Sequence, residues 1–209
     1  TVHATIEMMA THTAAVYRAK TNKLIVADLP FLSHRRGKTA LMDNVDLLMK
    51  AGAGAVKLET APGQESKAGY IVDSGIPVIG HVGLTPQFVH QFGGYKVQGK
   101  TEEAKNKILK QSIDLEKSGC SALVLECVPN DLAKQITNTL SIPTIGIGAG
   151  IHVDGQVLVL QDLLGFNSDF KPRFVREFAH GHKWMDEALK QFTSSVEDKS
   201  FPSSQESFQ

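Results

Sequence analysis

Two stretches of this chain follow one plan. Gly52-Ala53-Gly54-Ala55-Val56-Lys57-Leu58-Glu59 parallels Gly119-Cys120-Ser121-Ala122-Leu123-Val124-Leu125-Glu126. Each runs from a glycine suited to ending a helix, through a short apolar run, to a glutamate. Ile76-Pro77-Val78-Ile79-Gly80 and Ile142-Pro143-Thr144-Ile145-Gly146 form a second matching pair. Runs that are apolar at successive positions are buried on both faces. Where they alternate with helical segments they require a parallel sheet covered on each side. A TIM barrel and a doubly wound sheet both meet that requirement.

Strands are expected near Val26, Val56, Ile79, Val124, Ile145 and Val159, the last on the run Val157-Leu158-Val159-Leu160. Helices are expected over residues 5–20, 39–51, 66–74, 101–119 and 130–140. In the second of these Leu41, Val45, Leu48 and Met49 form one stripe. Thr101 is placed to cap the fourth, with Glu102 and Glu103 favouring the positive end of its dipole. Residues 172–191 also read as helical, before a polar, serine-rich end over residues 194–209. A closed barrel needs eight strands, and the chain opens on a helix. For a barrel, the simplest inference is that two strands precede Thr1; on either plan residues 1–209 read as a single α/β domain.

The charge balance narrows the partners. Lys plus Arg and Asp plus Glu each number 22, a formal charge of zero. That argues against nucleic acid and leaves no polybasic handle for a membrane. No apolar run approaches the roughly 18 residues of a membrane span, and no secretory signal opens the sequence. Only Cys120 and Cys127 occur, too few for a disulfide framework, so a cytoplasmic location is expected.

In parallel α/β folds ligands collect at the carboxyl ends of the strands. Here the apolar runs end in Asp28, in Lys57 and Glu59, in His81 and in Glu126. Lys57 and Glu59 are two residues apart and share a strand face. Carboxylates without a Cys/His cluster suit a hard cation such as Mg2+, with Asp28 and Glu59 as its ligands. The same residues would also make an Asp–Lys–Glu salt-bridge network. Gly146-Ile147-Gly148-Ala149-Gly150 is not the spaced dinucleotide fingerprint; an anion cradle and a tight turn both remain open. His152 and Asp154 are weak signals. His3, His12, His34, His90, His180 and His182 lack metal-ligand spacing and are expected mostly at the surface. Cys127 is read as a small buried residue. Phe92-Gly93-Gly94-Tyr95-Lys96-Val97-Gln98-Gly99 lies in a loop of about 18 residues, long enough to suggest a ligand contact, though a structural lid fits equally.

These segments resemble the ketopantoate hydroxymethyltransferase family. The resemblance rests on Ala27-Asp28-Leu29-Pro30-Phe31, Val56-Lys57-Leu58-Glu59, Gly80-His81-Val82-Gly83-Leu84-Thr85-Pro86-Gln87, the Phe92 to Gly99 string, Leu125-Glu126-Cys127-Val128-Pro129 and Ile145 to Gly150 with Asp154-Gly155-Gln156. Thr11-His12-Thr13-Ala14-Ala15-Val16 also matches, and the likeness extends to Phe201-Pro202 and Glu206-Ser207-Phe208. It implies a (β/α)8 TIM barrel, its first strands before Thr1, that uses Mg2+ and moves a hydroxymethyl group from 5,10-methylenetetrahydrofolate to 3-methyl-2-oxobutanoate, yielding 2-dehydropantoate on the way to pantothenate and coenzyme A. It implies metal-site positions at Asp28 and Glu59, keto-acid contacts at Asp28 and Lys57, a substrate-side position at His81, and the general base at Glu126. It further implies a homo-oligomer, a decamer built as a pentamer of dimers. The family's additional Asp-Ser pair, on an upstream strand, has no counterpart in this chain and is expected before Thr1. Two alternatives stand beside this reading. One is another Mg-dependent 2-oxo-acid barrel of the phosphoenolpyruvate mutase or isocitrate lyase type. The other is an inactive, truncated assembly subunit.

Overall fold

Six parallel strands lie side by side in the order in which the chain forms them. They belong to a computed structural model that describes residues 2–168 and 171–208. The chain divides into two units, residues 1–157 and 158–209. The first runs α1 (Ile6–Arg18), β1 (Val26–Asp28), α2 (Lys38–Lys50), β2 (Ala55–Glu59), α3 (Ser66–Val72) and β3 (Val78–Gly83). A 3-10 turn at Pro86–Phe88 follows, then α4 (Val89–Phe92), α5 (Glu102–Lys117), β4 (Ala122–Glu126), α6 (Asn130–Thr139), β5 (Thr144–Ile147) and β6 (Gly155–Gln156). The second unit holds α7 (Leu160–Leu163) and α8 (Gly181–Glu197). The helix starts follow local chemistry. The hydroxyls of Thr5 and Thr101 accept the amides of Met8 and Ala104, each at 3.2 Å.

Strand order separates the two candidate architectures. A doubly wound sheet reverses its order at a switch point. Here each strand pairs with its sequence neighbours, from β1 to β6, as in a barrel wall. Side chains alternate between two faces. Ala27, Val56, Leu58, Val78, Val82, Leu123 and Leu125 pack with Leu41, Val45 and Leu48 of α2, Leu115 of α5, and Leu132 and Ile136 of α6. Fully burying one such leucine stabilises the fold by about 1.5–3 kcal/mol. The opposite face begins as a smaller apolar layer of Ala55, Ile79, Ala122, Val124 and Ile147. Towards the carboxyl ends this face turns polar.

Two expectations are corrected. The apolar run of residues 157–160 is not a strand. β6 lies just before it, pairing Gly155 with Ile145 and Gln156 with Gly146. Val157, Val159 and Leu160 are exposed, and Leu160 opens α7. A four-residue apolar run carries no period that separates strand from other structure. The helix expected over residues 172–191 starts at Gly181 instead and runs to Glu197, into the serine-rich end. Backbone amides of Phe178, Gly181 and His182 donate to Leu163, Leu164 and Gly165 at 2.8–2.9 Å, which holds the preceding residues out of a helix. No helix among the described residues is long and apolar enough to cross a membrane.

Candidate active site

Asp28, Lys57, Glu59, His81 and Glu126 all lie on the sheet face away from the helix layer that buries Ala27, Leu58, Val82 and Leu125. Register sets Asp28 beside Lys57 and Glu59 beside His81. Lys57 Nζ lies 3.3 Å from Asp28 Oδ2, 3.7 Å from Glu59 Oε1 and 3.3 Å from His81 Nδ1. His81 Nε2 lies 3.3 Å from Glu126 Oε2. The five side chains thus form one connected row across four strands.

Their protonation follows from burial and neighbours. Burial alone would pull the Lys57 ammonium down, but Asp28, Glu59 and Glu126 together hold it above its ordinary value. His81 is pushed down to about 4, first by burial and then by the Lys57 charge, so the ring is neutral at pH 7. An ammonium can only donate, so His81 Nδ1 accepts from Lys57 and the ring proton resides on Nε2, facing Glu126. The His81–Glu126 approach is therefore not an ion pair. It is not a formed hydrogen bond either, because His81 Nε2 is buried without a hydrogen-bonding partner. Burial pushes the Glu126 carboxyl up to about 7; Lys57 opposes that rise and Asp28 adds to it. A carboxyl poised there exchanges protons near neutral pH, as general acid–base work requires.

The backbone around Glu126 is closely fixed. Its carbonyl accepts the Leu84 amide at 2.8 Å, and the next amide, of Cys127, donates to Ile147 at 2.9 Å. Gly83, at φ +90°, passes so near that a Cβ would overlap the Glu126 carbonyl oxygen. The Cys127 carbonyl accepts the Gln98 amide at 2.9 Å, tying the Phe92 to Gly99 string to the same strand end. That string shows Tyr95 to solvent and borders a cleft of about 430 Å3 walled by Thr60, Phe88, Phe92, Gln98, Ile108 and Gln111.

Gln87 is the participant that sequence reasoning missed. Its amide donates to Glu59 Oε2 at 3.0 Å and its side chain donates to the Leu29 carbonyl at 2.8 Å. It stands inside the Gly80 to Gln87 string, but nothing in a lone glutamine marks a carboxylate clamp. The remaining candidates take structural places. Gly148 and Gly150 have positive φ, and Gly150 packs against Asn130, as in a tight turn. Asp154 Oδ2 accepts the Thr144 amide and hydroxyl at 2.8 and 3.0 Å. The Cys127 thiol is pushed up to about 11 by burial and by Glu126, which suits the inert buried residue expected. His34, expected at the surface, is buried, with neither ring nitrogen hydrogen-bonded.

Asp28 and Glu59 are the candidate ligands for a cation. Among the described residues no three His, Cys, Asp or Glu side chains are placed so that together they could hold a metal ion. Two oxygen donors on adjacent strands, one of them half-exposed at Asp28, fit a hard cation that keeps water or a chelating ligand in its other positions. They do not fit a closed tetrahedral nitrogen–sulfur site.

The family model described as ketopantoate hydroxymethyltransferase matches residues 1–204. The 3-methyl-2-oxobutanoate hydroxymethyltransferase of Bdellovibrio bacteriovorus is 53% identical over 208 residues, covering 100% of this chain and 79% of that protein. The enzyme of the same name from Legionella pneumophila (strain Paris) is 48% identical over 209 residues, covering 100% and 80%. Among solved structures, phosphoenolpyruvate phosphomutase from Streptomyces platensis subsp. rosaceus aligns with a TM-score of 0.56 at 13% identity, over 94% of this chain and 69% of that one. Phosphonopyruvate hydrolase in complex with oxalate and Mg++ aligns at 0.55 and 12% identity, over 98% and 74%. At such identity these two show a shared fold alone.

Proposed function

Because the chain belongs to the ketopantoate hydroxymethyltransferase family, we propose that it transfers a hydroxymethyl group from 5,10-methylenetetrahydrofolate to 3-methyl-2-oxobutanoate, forming 2-dehydropantoate for pantothenate synthesis. The observation that carries the reading is Glu126. It is a carboxyl poised at about 7, one imidazole away from a lysine flanked by two carboxylates. Removing the C3 proton of a 2-oxo acid needs a base near neutral pH beside a centre that stabilises negative charge.

Roles follow from position. Glu126 takes the C3 proton. The C3 carbanion attacks the methylene carbon of the folate, both carbon–nitrogen bonds to that carbon break, and water supplies the hydroxyl; the two freed nitrogens take up the proton that Glu126 removed and the remaining proton of the water. Lys57 presents positive charge to the keto-acid oxygens. Asp28 and Glu59 are the residues that would hold Mg2+, and Asp28 also lies against the keto acid. When bound, the metal supplies Lewis-acid polarisation of the 2-oxo group. His81, neutral and with its Nε2 proton towards Glu126, lies at the substrate side and keeps a donor beside the base. Gln87 steadies Glu59. The 430 Å3 cleft beside Gly83, with its apolar walls of Phe88 and Phe92, offers a space that suits the folate.

The mutase-like alternative has less behind it, a common fold at 12–13% identity. Burial also pushes the thiols of Cys120 and Cys127 up to about 12 and 11, which disfavours lyase-type cysteine chemistry. A cytoplasmic location is supported by two free cysteines. A homo-oligomer, as a decamer, is supported by the family and by the exposed apolar side chains of Trp184, Leu189 and Phe192 on α8. The test supplies the protein with both substrates and Mg2+ and follows 2-dehydropantoate by mass spectrometry. Product that depends on the folate supports the reading. Folate-independent cleavage of a 2-oxo acid, with no folate-dependent product, overturns it.

A further inference from the structure

A separate cleft, of about 290 Å3, opens where α2 begins, lined by His34, Arg35, Gly37, Lys38, Lys67 and Tyr70. Three cations line it, and among the described residues none is paired with a carboxylate. Lys67 donates only to the Gln64 side chain, at 3.0 Å. Lys38 lies 4.4 Å over the Tyr70 ring, and Arg35 lies 5.4 Å over the Phe88 ring. Arg35 Nη2 is buried without a partner. His34 is only 3% exposed, lines the cleft, and has both ring nitrogens unpartnered.

The helix start adds donors. α2 begins at a glycine with no side-chain cap, and its first turn holds no acidic residue. α1, α5 and α6 each carry one or more acids there. The Lys38 and Thr39 amides precede the first intrahelical bond, from Leu41 to Gly37, and have no helical acceptor. Buried donors left unmade are rare in folded proteins, and crowded cations repel one another. Burial pushes the Lys67 ammonium down and Arg35 adds to that; burial, Lys67 and Arg35 together hold the His34 ring neutral at pH 7.

We infer that this cleft binds a phosphoryl group, free or as the terminus of a phosphomonoester. Arg35, Lys67, Lys38 and the two helix amides supply charge and donors for the oxyanion. His34 selects phosphate. A neutral imidazole offers one N–H and one bare nitrogen, so it can donate to one phosphate oxygen and accept from a P–OH. Sulfate and acetate carry no such proton near pH 7, whereas inorganic phosphate keeps one P–OH and a phosphomonoester, with its second pKa at about 6, keeps it in part. The volume fits a phosphoryl group and a few further atoms. The cleft lies outside the row from Asp28 to Glu126, and it goes beyond the proposed reaction.

The test titrates the intact chain, without folate or keto acid, against sodium phosphate, phenyl phosphate, sodium sulfate and sodium acetate. Calorimetry reads affinity, and hydrogen–deuterium exchange reads residues 34–41. The expected result is saturable phosphate binding that slows exchange in that segment, with sulfate and acetate weaker by about tenfold or more, the scale of one charge-assisted hydrogen bond. Arg35→Gln with Lys67→Gln weakens phosphate by at least the same factor, and His34→Phe brings phosphate and sulfate together. Tighter phenyl phosphate binding assigns the site to a phosphomonoester; equal or weaker binding assigns it to free phosphate. Should the double variant not fold, exposed Lys38→Gln takes its place. No protection of residues 34–41, equal binding of acetate, or full affinity in the variants overturns the proposal.

Discussion

Replacing Glu126 by Gln should make the protein more stable, by an amount that depends on pH. The carboxyl is poised at about 7 in the fold against an ordinary 4.5. At 1.36 kcal/mol per pH unit, that gap corresponds to about 3 kcal/mol. A carboxyl whose folded value is raised favours the fold in its protonated form. That contribution is fully present below about 4.5 and is lost as pH rises through about 7. Gln keeps the shape and never ionises. It gives up no formed hydrogen bond, because the His81 contact is not one. Glu126→Gln is therefore expected to exceed the parent by about 3 kcal/mol at pH 8, narrowing to less than about 1 kcal/mol at pH 5. Urea unfolding followed by circular dichroism, in EDTA so that no divalent cation stabilises the carboxylate, measures both. Equal stability at pH 8, or a gain that does not shrink at pH 5, would refute the claim that burial raises Glu126.

Three further outcomes follow from the same geometry. Lys57→Met removes the cation beside buried Glu59 and is expected to destabilise by about 3 kcal/mol, the scale of breaking a buried pair; an unchanged urea midpoint would contradict it. Gly83→Ala puts a methyl group against the Glu126 carbonyl at φ +90° and should lose at least about 2 kcal/mol, read as a fall in melting temperature. Asp28→Asn should weaken Mg2+ binding in calorimetry by at least the roughly tenfold that loss of an outer-sphere partner produces. Affinity equal to the parent's would remove Asp28 from the metal site.

Much of this arrangement was readable from strand ends. Lys57 and Glu59, two apart, had to share a face, and a polar side chain near the end of four of the apolar runs marks the carboxyl end of a parallel sheet. Sequence could not choose between barrel and doubly wound order, since that depends on which strands pair. Nor could it show that Asp28 and Glu59 both reach Lys57, because register is a tertiary property. The apolar residues 157–160 misled because apolarity alone does not imply a sheet position. His34 misled in the opposite sense. An imidazole flanked by Ser33, Arg35 and Arg36 looks solvated in sequence, yet the turn from Pro30 to Gly37 buries it.

Deuterium exchange at C3 of 3-methyl-2-oxobutanoate, followed by NMR with saturating Mg2+ and no folate, isolates proton abstraction from one-carbon transfer. If Glu126 is the base, Glu126→Gln lowers the exchange rate by about 10²-fold or more. Its Mg2+ affinity should stay near that of the parent, because Glu126 is not placed among the metal ligands. Exchange at the parental rate in Glu126→Gln would contradict the account and move the base to another group, such as His81 or a bound water.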